Sequence, residues 1–110
     1  MNNTIDKDFL ELLELVKKKC YITDKSNEIA ERIKILVEDS IKKVCTLIGA
    51  DEEQKIFIEP GLERELLLNY CFYIWNDKTT KEFIDNYLDD IYTLQRIYAV
   101  KNNSKDKQDE

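Results

Sequence analysis

Metal-assisted hydrolysis on a helical scaffold needs carboxylates that can share one ion. Positions i and i+3 of a helix supply them from one face. Three such pairs begin with glutamate: Glu11 with Glu14, Glu28 with Glu31, and Glu82 with Asp85. The second and third have the residue types that hold magnesium for pyrophosphate hydrolysis. A whole helix separates them, however, and a chain with 23 acidic residues produces such pairs by chance. Charged surface is their expected role. Nucleophilic chemistry has less to work with. Cys20, Cys45 and Cys71 are thiols in a chain with no histidine, so the commonest general base and the commonest metal ligand are both missing. Ser26, Ser40 and Ser104 stand in no motif that would activate a hydroxyl. Gly49 and Gly61 are isolated, so there is no glycine-rich phosphate loop. The expectation is no catalytic residue, no cofactor and no metal.

The net charge is −6 and the pI about 4.8. Affinity for nucleic acid comes largely from Lys and Arg on phosphate, so a dedicated DNA-binding role is disfavoured. The short runs Lys17-Lys18-Lys19 and Lys42-Lys43 are accounted for by solvated helix faces. Three cysteines without a recognisable signal peptide read as reduced thiols inside a cell, each serving as a small buried hydrophobe. Neither a targeting signal nor a membrane span is visible, so no membrane partner is expected.

Two glycines and one proline in 110 residues leave few turns, which favours long helices over a sheet. The expected fold is all-α: a four-helix bundle-like subunit with two long helices, an extended link before helix three and a flexible C-terminal tail. Residues 1–100 form one domain and residues 101–110 a polar mobile tail. After a polar lead-in at residues 1–5, the first helix runs from about Asp6 to Lys19, with Phe9, Leu12, Leu13, Val16 and Cys20 as its stripe. The second runs from Ser26 or Asn27 to Ile48. Its stripe is Ile29, Ile33, Leu36, Val37, Ser40, Ile41, Val44, Leu47 and Ile48, and Gly49 sits where a left-handed cap belongs. Ile56-Phe57-Ile58 is β-prone and reads as an extended pinning segment or an isolated strand. Pro60 suits the first turn of the third helix, which ends at Asn76-Asp77-Lys78. Thr79 and Glu82 have capping-box spacing and open the fourth helix, which fades near Val100.

The third helix carries the most apolar stretch, Leu66–Trp75, in which only Asn69 is neither apolar nor aromatic. Such a helix must be covered on every side, by its own domain or by a partner. It is too short to span a bilayer. Asn69 reads either as an amide satisfied inside the bundle or as a register-setting contact between subunits. Tyr70, Phe72, Tyr73 and Trp75 point to several sides, more than a domain of this size covers with ease. The candidate subunit interface is Asn69, Phe72 and Trp75, joined by Tyr92 on the fourth helix.

The order of features is itself informative. A short helix ends in Lys19-Cys20-Tyr21-Ile22-Thr23-Asp24, and a long one ends in Leu47-Ile48-Gly49. A polar link follows, then Gly61-Leu62-Glu63-Arg64-Glu65-Leu66-Leu67-Leu68-Asn69-Tyr70, an amphipathic helix and a polar tail. Over roughly residues 9–100 the chain resembles the small head–tail connector (adaptor) proteins of long-tailed bacteriophages, especially those of low-GC Gram-positive hosts. The resemblance implies a structural subunit without enzymatic activity, assembled as a ring of about twelve copies. The ring would sit beneath the portal protein, meet a tail-proximal connector or stopper protein, and pass DNA through without binding it specifically. It also implies that the C-terminal segment docks on the portal, with Lys101, Lys105 and Lys107 as candidate contacts. The location would be the virion's head–tail interface, and the host cytoplasm during assembly. Two other readings stand beside it. One is a cytoplasmic helical interaction module or regulator with one protein partner. The other is a metal-dependent pyrophosphohydrolase, for which magnesium titration by calorimetry is the test.

Overall fold

The computed structural model describes residues 7–51 and 54–108, the side chains of 104–108 excepted. The lead-in at residues 1–5 and Asp6 of the first helix lie outside the described residues. Five α-helices follow one another: α1 Lys7–Lys19, α2 Asn27–Ile48, α3 Leu62–Trp75, α4 Thr80–Asn86 and α5 Leu88–Gln108. Among the described residues there is no strand, and the fold is all-α.

Local chemistry explains most of these boundaries. Ser26 takes an extended conformation, and its hydroxyl accepts from the Ile29 N–H, satisfying one of the orphan donors of α2. At the far end Gly49 turns left-handed at φ 77°, and the Ala50 N–H donates back to the Cys45 carbonyl. Thr79 and Glu82 form the complete reciprocal capping box at the start of α4. α1 and α3 close with the same left-handed turn but without glycine. Tyr21 has φ 58° and Asp77 φ 62°. Behind them Ile22 and Lys78 donate back to Lys17 and Tyr73, the six-to-one bond of a Schellman ending.

Four expectations need correction. Ile56-Phe57-Ile58 is neither extended nor a strand: Gln54–Phe57 is a 3-10 turn. Arg64, in the first turn of α3, reaches back and donates to the Phe57 carbonyl at 3.2 Å and to the Ile58 carbonyl. Those groups are therefore satisfied without a strand partner, while the Phe57 ring is driven into the core. Pro60 precedes Gly61, the residue that caps α3, and so stands outside the helix. The fourth helix is two helices. Tyr87 leaves the helical path at φ −118° and ψ 21°, its ring stacked on Phe83 at 4.9 Å and edge-on to Tyr73 at 5.9 Å. Aromatic packing sets this break, in place of a glycine or proline. Finally, the last helix continues past Val100 to Gln108. Asn102 donates to the Gly49 carbonyl, which ties the start of the expected tail to the end of α2.

α3 touches every other helix and the 3-10 turn, so the most apolar stretch is indeed the hub. α1 runs alongside it in the same direction, with Lys19 over Phe72. α2 runs against it, with Arg32 near Trp75 and Ser40 bonded to Cys71. α5 is fixed at both ends of the hub: Tyr98 donates to the Glu63 carboxylate at 2.9 Å, while Tyr87 meets Tyr73. The core comprises Leu12, Val16, Ile33, Val37, Val44, Ile48, Phe57, Leu66, Leu67, Phe83 and Leu94, all fully buried. The molecule measures 50 × 40 × 19 Å. Its thin dimension is about two helix diameters. The radius of gyration is 15.1 Å, against ~13 Å for a compact domain of this length.

Candidate interaction surface

The acidic pairs do not converge. Glu14 holds Lys17 at 3.2 Å, and Asp85 holds Lys81 at 2.9 Å, keeping that ammonium above its usual range. Glu82 is engaged in the capping box, and Glu28 and Glu31 face solvent on α2. Among the described residues no three His, Cys, Asp or Glu side chains gather as a metal site would require. The thiols are equally occupied. Cys20, Cys45 and Cys71 are buried and none is in a disulfide. Burial pushes the Cys71 thiol up to about 12 and the Cys20 thiol up to about 11, so neither is a thiolate near neutral pH. Among the described residues no helix is long and apolar enough to cross a membrane.

What stands out is unburied apolar surface. Seven large apolar side chains are exposed among the described residues, and four of them, Leu88, Tyr92, Ile97 and Val100, belong to α5. The helix buries Ile91, Leu94 and Tyr98 on its inner side and carries a second apolar set outward. Tyr92 is 51% exposed and Val100 65%. Exposed large apolar side chains gathered on one helix are candidates for association. Periodicity places Leu88 on the inner side with Ile91, Leu94 and Tyr98, but at 36% exposure it lies at the surface, beside the candidate interface residue Tyr92.

The second feature is concave. α2 and α3 diverge around a groove of about 480 Å³, walled by Ile35, Leu36, Ile74 and Trp75, with Arg32, Asp39 and Lys43 on its rim. Arg32 lies over the Trp75 ring at 4.9 Å, a cation–π contact that fixes both side chains. A shallower hollow between α1 and α3 is lined by Leu15, Lys19, Leu68 and Phe72.

The proposed interface residues therefore occupy four settings. Trp75 walls the α2–α3 groove, and Phe72 lines the α1–α3 hollow under Lys19. Both are only partly buried within one chain, so each retains surface for a neighbour. Asn69 donates to the Glu65 carbonyl in its own helix at 2.8 Å and sets no tertiary register here. Tyr92 belongs to the outward set of α5. No single patch unites the four. Ile35, 53% exposed at the groove, is a residue that the sequence reading missed. Its signal was an isoleucine off the inner stripe of an otherwise clean amphipathic helix. In the segment expected to dock, Lys101 sits over the Tyr98 ring at 4.9 Å. The backbones of Lys105 and Lys107 continue α5, and their side chains lie outside the described residues.

No protein-family model, curated protein or solved structure matches the chain.

Proposed function

We propose that this protein is a structural head–tail connector subunit of a phage virion, which assembles as a ring beneath the portal, extends the DNA channel and links head to tail. The observation that carries the reading is the outward apolar set of α5, which gives a folded subunit a surface to bury against others. The resemblance over residues 9–100 supplies the identity of the assembly. In this reading α1, α2, α3 and α5 are the rods of a four-helix bundle-like subunit, α2 and α5 being the long ones, and α4 is the bracket before the last rod. A thin slab is a suitable shape for a ring of about a dozen subunits. The net charge of −6 suits a channel that DNA must slide through without adhering. The C-terminal segment from Lys101, with Lys105 and Lys107, is the arm that docks on the portal protein.

Electron microscopy of the protein mixed with portal tests this directly. The expected result is a ring stacked on the portal and extending its channel. Failure to bind or extend the portal overturns the reading. A free monomer in solution does not, because such rings can close on their template. The alternative, a cytoplasmic helical module with one protein partner, draws on the same exposed face of α5. Neighbouring portal, capsid and tail genes support the connector, and their absence favours the module.

A further inference from the structure

We propose that Leu88 and Tyr92, at the start of α5, seat in the α2–α3 groove of a second copy of this chain. The two surfaces match in shape. Leu88 and Tyr92 are four residues apart, so they project side by side as a short apolar ridge. The groove offers an apolar trough of about 480 Å³ between Ile35, Leu36, Ile74 and Trp75. Within one copy both stand open: Tyr92 and Ile35 are each more than half exposed.

They also match in charge. The ridge is set among carboxylates, with Asp85, Asp89 and Asp90 lining the hollow that includes Leu88. Among the described residues, only Asp85 of the three has a close cation, Lys81. The groove rim carries Arg32 and Lys43 against the single carboxylate Asp39, leaving it positive in a chain that is acidic overall. Arg32 is placed over Trp75 at 4.9 Å and is solvent-exposed, so its guanidinium is within reach of an incoming carboxylate. Asp89 is the partner that the ridge brings to it. A tyrosine with few rotatable bonds is well suited to the central contact.

The partner is another copy because one sequence carries both halves. After one contact each copy still holds an unused ridge or groove, so the contact can propagate until it closes. The inference deepens the ring reading and rests on it for its biological use. The contact itself is tested without portal, so the two can fail separately.

The test is disulfide trapping between two full-length variants, Ile35→Cys and Tyr92→Cys, mixed at high concentration and oxidised. The native cysteines are buried, and the unsubstituted chain serves as the blank. The expected product is the 35–92 pair, about tenfold over either like pair. Adding Arg32→Glu to the first chain, or Asp89→Lys to the second, should lower its yield about tenfold, and combining the two in trans should restore it. Predominance of 92–92 pairs, a statistical mixture, no cross-link at all, or a charge swap that fails to restore the yield overturns the proposal. Thermal melts of each variant establish that the fold is intact.

Discussion

α2 and α5 run in the same direction across one core, and each gives that core a stripe of apolar side chains. Their outer sides differ. α2 turns mostly charge to solvent, Glu31, Lys34, Glu38 and Lys42, and its one large exposed apolar side chain is Ile35 at the groove. α5 turns out Leu88, Tyr92, Ile97 and Val100. A monomer needs only the first pattern. The second costs solubility without adding internal packing, so the difference separates residues that hold the subunit together from residues available to hold subunits to one another.

The sharpest way to break this contrast is to place the same charge on both sides of it. Val37→Asp buries an unpaired carboxylate on the inner face of α2 and should lower stability by about 4 kcal/mol. Val100→Asp, on the outer side of α5, should change it by less than about 0.5 kcal/mol. Urea unfolding followed by circular dichroism measures both, and comparable losses would mean that the outer side of α5 is packed within the subunit. Within α5 alone, Leu94→Ala should cost about 3 kcal/mol through its cavity. Ile97→Ala, one turn on, should cost under about 0.5 kcal/mol in the isolated chain. A second contrast lies between helix ends. α2 closes on Gly49 and α1 on Tyr21, in the same left-handed region. Tyr21 is 85% exposed, so Tyr21→Gly gives up little packing. It should stabilise the protein by about 1 kcal/mol by relieving the backbone. A lower melting temperature would show that the ring makes contacts worth more than the strain.

The smallest effect at neutral pH belongs to the thiols. Burial raises Cys20 and Cys71 from 9.0 to about 11 and about 12. The folded chain thus keeps protons that the unfolded chain releases. Their contribution is fully present below about pH 9 and falls as the pH rises through 11 and towards 12. Urea midpoints at pH 8 and pH 10.5 should therefore differ, the higher pH being less stable, and Cys71→Ala should flatten part of the slope.

The elements that could be read from the sequence were those written in local chemistry. Ser26 and Gly49 bracket α2, and Thr79 with Glu82 opens α4, because caps act over three or four residues. Periodicity found the inner faces of α1 and α2 for the same reason. What escaped was decided by packing between elements. The break at Tyr87 depends on rings from α3 and α4, and nothing in its own neighbours marks it. The 3-10 turn depends on Arg64, and the run of α5 past Val100 on an amide reaching α2. The candidate surface was half legible. Tyr92, Phe72 and Trp75 were identifiable as surplus aromatic area. The groove that Trp75 shares with Arg32 and Ile35 exists only once α2 and α3 are packed.

The seam between α2 and α5 has one more consequence. Gln95 donates to the Leu47 carbonyl and Asn102 to the Gly49 carbonyl, across separations of 48 and 53 residues. The end of the second helix is finished by amides that the ribosome supplies much later. Until α5 arrives, those carbonyls have only water to bond with, and the last turn of α2 is free to fray. Resistance of that turn to fraying therefore draws on the whole chain rather than on α2 alone. Whatever grips the outside of α5 thereby also steadies the far end of α2.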